Sequence, residues 1–147
     1  MSSDFWSLAA GEPSRTAVIA PDGGSVTAGE LCGAANRLVH GLRALGLVRG
    51  DTIAVCLQNE VAMLELYLAA AQAGWYLTPL NSHLAAPEIA YIVADCGAKT
   101  FVCSHATGDI SRTALDSIAF PRAARFSTGD DAGFRPLSAL KDGQPET

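Results

Sequence analysis

The sequence predicts an α/β fold, with a mainly parallel sheet and helices on both of its faces, and three observations lead there. Strand-like and helix-like segments alternate from Ile53 to Ser104 in the order strand, helix, strand, helix, strand. Alternation of this kind builds βαβ units, which cross over right-handed. The first of these strands, Ile53-Ala54-Val55-Cys56-Leu57, is apolar without interruption, as strands covered on both faces are. The connecting turns are short, and 147 residues at 49% hydrophobic and 17% charged describe a folding chain with one core rather than a disordered one.

The elements follow in order. Leu31, Ala35, Leu38, Leu42 and Leu45 recur at alternating steps of four and three, which places them on one stripe of a helix. Thr27 and Glu30 have the spacing of a capping box, and Gly46 tolerates the left-handed conformation of a helix end. A helix is therefore expected over 28–45. After the turn Gly50-Asp51 comes the strand at 53–57, and Asn59 is placed to cap a helix over 61–73 that is apolar on nearly every side. A helix with so little polar face needs protein over most of its surface. Gly74 ends it, and a strand over 75–80 follows that Pro79 restricts to an edge, an end or a bulge.

A third helix starts at Pro87, with Glu88 near the positive end of its dipole, and closes at Gly97. Residues 99–104 read as a strand, 110–118 as a weaker helix and 125–127 as a short strand. The boundary expected from composition lies there. Residues 1–127 form the α/β unit, and residues 128–147, rich in Gly, Asp and Pro, look like a polar linker-like tail.

Charge and hydropathy narrow the function classes. Ten Lys and Arg against fifteen Asp and Glu leave a net charge of −5 with no basic run, which disfavours nucleic acid and anionic membrane surfaces. The longest stretch free of charged residues, Leu66 to Pro87, contains Gln72, Gly74, Pro79, Asn81 and Ser82. It divides into a helix end and a strand and is not read as a membrane span. Residues 1–13 carry Asp4 and Glu12 and no basic start to an apolar core, so no signal peptide is expected and the cytoplasm is the expected location. Cys32, Cys56, Cys96 and Cys103 form no C-x-x-C pair and have no His at metal-ligand spacing. They read as reduced thiols packed as small hydrophobes.

Candidate chemistry is sparse. Asp22-Gly23-Gly24-Ser25 and Thr128-Gly129-Asp130-Asp131 lack the Lys and Ser/Thr of a phosphate-cradling loop and read as turns. His40 falls off the apolar stripe of its helix. His83, in the loop after a strand end, occupies the kind of place where α/β proteins bind ligands, and His105 has a similar position. No Ser or Cys stands in a nucleophile-elbow context to pair with either. Asp4, Glu30, Glu60, Glu65, Glu88 and Asp95 are accounted for by caps, first turns or helix faces.

The succession from Gly50 to Val102 goes further than a fold class. Gly50-Asp51, Asn59, Ala73-Gly74, Pro79-Leu80-Asn81, Pro87-Glu88-Ile89-Ala90-Tyr91-Ile92 and Gly97-Ala98-Lys99 follow in fixed order. The set resembles the N-terminal part of adenylate-forming (AMP-binding) enzymes, the superfamily of acyl-CoA synthetases, luciferases and peptide-synthetase adenylation domains. The likeness runs from about Ser14 to Ser104. Gly74-Trp75-Tyr76 and Asn81-Ser82-His83-Leu84 look most like bacterial fatty-acyl-CoA synthetases. Gln58 stands where Pro is common in the family, and Ala85-Ala86 stand where a Thr or Ser cap is common.

The resemblance implies the N-terminal subdomain of the acyl-CoA synthetase-like fold. It also implies a parent enzyme that uses ATP and Mg²⁺ to activate a carboxylic acid, most like a fatty acid, as an acyl-adenylate, and then passes the acyl group to coenzyme A. The family's phosphate loop with its Lys, its acidic ribose site and its C-terminal domain lie beyond the matched region. No position here matches a catalytic, cofactor-binding or metal-binding motif of the family, so none is assigned. The chain alone is then expected to bind no cofactor, to be catalytically silent and to self-associate through apolar surface left bare. Two other readings stay open: a different adenylate-forming enzyme, either an adenylation domain or luciferase-like, and a free-standing α/β binding module without chemistry.

Overall fold

The structure, a computed structural model, describes residues 5–20 and 22–147. The elements are α1 (Phe5–Gly11), β1 (Thr16–Ile19), β2 (Ser25–Thr27), α2 (Ala28–Leu45), β3 (Thr52–Cys56), α3 (Val61–Ala73) and β4 (Tyr76–Pro79), then α4 (Ala86–Asp95), β5 (Ala98–Cys103), α5 (Gly108–Ser117), β6 (Arg125–Ser127), β7 (Arg135–Pro136) and α6 (Ser138–Lys141). Five strands form a parallel sheet in the order β4-β3-β5-β6-β7. Strands β1 and β2 make a separate antiparallel hairpin, whose turn includes 22–24, where the backbone N–H of Gly24 donates to Asp22 Oδ1 at 2.8 Å.

Period-two alternation along the central strands divides the core into two layers. Ile53, Val55 and Val102 face α2 and α3, where they pack with Leu38, Leu42, Leu66 and Phe126. Ala54, Cys56, Phe101 and Cys103 face the other way, toward Ile89 and Val93 of α4 and Leu115 of α5. The uninterrupted apolar run of β3 thus serves two cores at once, and helices cover both faces as expected. Pro79 falls on the edge strand β4.

The capping box of α2 is complete. The Glu30 N–H donates to Thr27 Oγ1 at 3.1 Å, and the Thr27 N–H donates to Glu30 Oε1 at 3.0 Å. Gly46 closes the helix at φ 112°. Helix α3 differs from expectation at its start. Its N-cap is Glu60 rather than Asn59, and no side chain caps it, because the Glu60 carboxylate is taken by Ser104. At α4 the alanine at the N-cap has no side-chain acceptor, and Glu88 Oε1 supplies half a box by accepting from the Ala85 N–H at 3.1 Å.

Residues 128–147 differ most from the linker-like reading. The Leu137 N–H donates to the Ser127 carbonyl at 2.8 Å, and Leu137 and Leu140 are buried in the α2–α3 core. Helix α6 lies so close to α2 that a Cβ on Gly41 would stand 1.8 Å from the Leu140 carbonyl oxygen. Lys141 Nζ pairs with Glu65 Oε1 on α3 at 3.0 Å, and Asn36 Nδ2 donates to the Glu146 carbonyl at 2.7 Å. Two leucines spaced by three in a polar stretch are enough to dock this segment and too few to show a period. Helix α1 and the hairpin also go unmarked in the sequence, being short and mostly exposed. Asp4, read as a cap or face residue, lies outside the described residues.

Candidate functional site

In open α/β sheets ligands bind outside the carboxyl ends of the strands, where the strand order reverses. Here β3 leads through α3 to β4 on one side, while β5 leads through α5 to β6 on the other. The reversal therefore lies between the carboxyl ends of β3 and β5, where residues 57–60 and 104–107 meet.

That crevice is filled by the chain's own polar groups. Ser104 is 3% exposed. Its hydroxyl donates to Glu60 Oε2 and accepts from the Gln58 N–H at 2.8 Å. Thr107 Oγ1 donates to the Cys56 carbonyl at 2.7 Å and accepts from the Ser104 N–H at 3.2 Å. The hydroxyl of Ser104 thus faces a carboxylate and not an imidazole, so the pair is not the serine–histidine arrangement of a serine nucleophile.

One strand further along, Ser127, Asp131 and His105 converge. Asp131 accepts from Ser127 Oγ on one oxygen and from His105 Nδ1 on the other, the latter at 2.8 Å. Its side chain is 9% exposed while that of His105 is 77% exposed. The order is serine, aspartate, histidine, with the acid in the middle. A nucleophilic triad requires the imidazole between the other two, so this cluster fastens the loop after β6. Gly129 is explained by the same packing, since a Cβ there would stand 2.5 Å from His105 Cβ. The loop at 128–131 needs its glycine for close approach to the histidine.

The thiols at the rim are equally inert. Burial pushes Cys103 up to about 12, and Asp131, Cys56 and Glu60 push in the same direction against a hydrogen bond with Ser127. Burial also raises Cys56. Burial thus disfavours in both the thiolate that nucleophilic or redox chemistry uses. His40 is half-buried on α2 with Nε2 3.2 Å from the Thr147 carbonyl oxygen. His83 is exposed, and its backbone N–H donates to Asn81 Oδ1 at 2.8 Å in the turn after β4. The three histidines are therefore not brought into one site.

The rim is a poor fit for the phosphates of a nucleotide. The carboxylates of Glu60 and Asp131 repel phosphate, Arg112 is engaged with the Ala132 carbonyl and Asp109, and Lys99 belongs to the opposite end of β5. Among the described residues, no three His, Cys, Asp or Glu side chains group to hold a metal ion. The open concave surface lies elsewhere. A groove of about 500 Å³ runs along α3 and β4, lined by residues that include Met63, Tyr67, Trp75 and Leu77. Beside it, a smaller hollow of about 280 Å³ lies between Ile19 of the hairpin and Glu60. The sequence reading missed the Glu60–Ser104 and Ser127–Asp131–His105 clusters. Their members come from different loops, and no local spacing joins them.

Comparison with known proteins places the fold. A family described as AMP-binding enzyme matches residues 5–140. A long-chain-fatty-acid–CoA ligase of Mycobacterium tuberculosis is 40% identical over 68 residues, 46% of this chain and 14% of that protein. A feruloyl-CoA synthase of Amycolatopsis is 40% identical over 80 residues, 54% of this chain and 16% of that protein. Among solved structures, a protein described as a long-chain-fatty-acid CoA ligase from Rhodopseudomonas palustris superposes with a TM-score of 0.86 at 32% identity, over 96% of this chain and 36% of that one. A benzoate CoA ligase from Burkholderia xenovorans superposes with a TM-score of 0.84 at 24% identity, over 96% of this chain and 28% of that one, a likeness of fold. The chain spans well under half the length of each. A family match over nearly every described residue, on a parallel sheet that superposes on solved CoA ligases, makes this chain a member of the AMP-binding enzyme family.

Proposed function

We propose that the chain is the N-terminal part of an ATP-dependent acid–thiol ligase, one that joins a carboxylic acid, and specifically a fatty acid, to coenzyme A. The observation that carries this reading is the superposition on a CoA ligase at 32% identity over 96% of the chain. The fatty-acid assignment draws on the Gly74-Trp75-Tyr76 and Asn81-Ser82-His83-Leu84 stretches and on the mycobacterial relative. An aryl acid is the second reading, favoured by the feruloyl-CoA synthase that matches at the same identity over a longer stretch.

On this reading ATP, Mg²⁺ and coenzyme A bind to parts of the parent other than this unit, and residues 5–147 act as its scaffold. The closed crevice between β3 and β5 supports that division of labour. Its polar atoms already bond to one another, and its carboxylates disfavour phosphate. The parent works in the cytoplasm, a location in keeping with four free cysteines. No helix among the described residues is long and apolar enough to cross a membrane.

Pyrophosphate release tests both levels. With palmitate, ATP, Mg²⁺ and coenzyme A, the isolated chain should release none above background, and turnover by it would sink the scaffold reading. A chimera carrying residues 5–140 in place of the matching segment of a fatty-acid–CoA ligase should turn over. A chimera that folds and stays inactive would count against the ligase assignment. Preference of the full-length parent for ferulate over palmitate would move the substrate to the aryl class.

A further inference from the structure

The loop between β6 and β7, residues 128–134, has little hold on the core. Phe134 packs there, while Thr128, Asp130, Ala132 and Gly133 are exposed. A segment with so few apolar contacts opens at low cost. What keeps it down is one carboxylate. Asp131, whose side chain is 9% exposed, accepts from Ser127 Oγ at the end of β6. It also accepts from His105 Nδ1 at 2.8 Å, in the turn that leads from β5 into α5.

Loop and turn fit without slack. A Cβ on Gly108 would stand 2.7 Å from Asp131 Oδ1, and one on Gly129 would stand 2.5 Å from His105 Cβ. Arg112 of α5 adds a bond to the Ala132 carbonyl at 3.3 Å. Lifting the loop draws Asp131 away from both partners at once and leaves the hydroxyl of Ser127, a residue 1% exposed, without its acceptor. Bonds shared through one buried group break together rather than one by one.

The same turn fills the crevice between β3 and β5. Ser104 and Thr107 point into the crevice, where they bond to the Gln58 N–H and the Cys56 carbonyl. His105 and Gly108 meet the loop instead. One short stretch of chain therefore has the crevice on one side and Asp131 on the other.

We propose that residues 128–134 are a strap over the turn at 104–108, with Asp131 as its joint. Strap and turn open as one unit, and the crevice between β3 and β5 stays filled only while the strap is down. The polar contacts that hold the strap lie between residues 103 and 134 of this chain.

Native-state hydrogen exchange, followed by NMR at low urea concentrations, tests this on the chain as it is. The amides to follow are those of Gly129 and Phe134 in the strap, bonded to Ser127 Oγ and the Asp131 carbonyl, and those of Thr107 and Gly108 in the turn. All four should exchange through one opening, with a shared dependence on urea, and faster than the amides of β3. Asp131→Ala should speed all four by at least about tenfold. Asp130→Ala, which removes an exposed carboxylate from the same loop, should speed none of them. An Asp131→Ala chain in which Gly129 and Phe134 speed up while Thr107 and Gly108 do not overturns the proposal, and equal acceleration by Asp130→Ala removes Asp131 as the joint. Wild-type exchange in which Thr107 and Gly108 open only with the whole fold overturns it as well, a result that decides the matter even where Asp131→Ala fails to fold.

Discussion

Helices α2 and α3 lie on the same face of the sheet, and the more apolar of the two is the less buried. Helix α2 alternates stripe and surface, and buries nine of its eighteen residues, including Leu31, Ala35, Leu38 and Leu42. Helix α3 is apolar nearly all round and buries three of thirteen. Hydrophobicity states how much cover a helix calls for, and topology states how much the chain supplies. Helix α2 is overlaid by α3 and α6 and sits beneath the hairpin. Helix α3 stands over the edge strand, and no later described element crosses its outer side.

The sharpest way to break this comparison is to cut one side chain from each helix. Leu38 is wholly buried, and Leu38→Ala should lower the unfolding free energy by about 3 kcal/mol in urea titration. Leu64→Ala, at a position 41% exposed, should change it by about 0.5 kcal/mol or less when measured on the monomer. Equal losses would mean that α3 is covered as well as α2.

The cover that α6 gives to α2 can be lifted at a single atom. A Cβ on Gly41 collides with the Leu140 backbone, whereas one on Gly33 meets only the Glu146 side chain, at 3.5 Å. Gly41→Ala should cost about 2 kcal/mol and expose the amides of residues 137–142 to hydrogen exchange. Gly33→Ala should be neutral or slightly stabilising. Unchanged exchange in Gly41→Ala would show that α6 is not held against α2.

The helix starts differ by a smaller amount. Thr27→Ala removes a complete capping box and should destabilise by about 1 kcal/mol, an effect with no counterpart at α3, whose N-cap side chain makes no cap bond. The smallest difference is one of pH. Hydrogen bonds from the Thr27 backbone and hydroxyl hold the Glu30 carboxyl below its ordinary value. A lowered carboxyl contributes stability that is present above its unfolded value and is lost as pH falls through the folded one. Urea midpoints should therefore drop on the acid side of the carboxylate range. Glu30→Gln, which keeps the box geometry, should flatten that limb, and an unaltered limb would remove Glu30 as its source.

The parts of the fold that were legible are those where side-chain period and chain punctuation agree. Both ends of α2 and the end of α3 follow from Thr27, Gly46, Gly74 and the apolar repeat of α2, whereas the cap at the start of α3 is Glu60 and not the expected Asn59. Strands β3, β4 and β5 fall within one residue of expectation, because each is a short apolar or β-branched run between turns. What escaped was held by contacts distant in sequence. Leu137 and Leu140 read as isolated leucines in a polar tail until α2 and β6 are brought beside them. The same holds for the rim, where Glu60 looks like a first-turn acid and Ser104 like a strand end. Only the parallel pairing of β3 with β5 makes them partners. The family resemblance survived these gaps because it rests on the order of turns and helix ends, which a sequence displays directly.

The register that sets Cys56 opposite Cys103 also divides the thiols of the molecule by accessibility. Both of these cysteines are wholly buried, whereas Cys32 and Cys96 are partly open. A maleimide reagent would thus label the closed chain at two sulfurs and the opened chain at four. The rate at which the second pair becomes labelled reports how often the central strands separate. The molecule carries its own clock for unfolding, wound into the middle of its sheet.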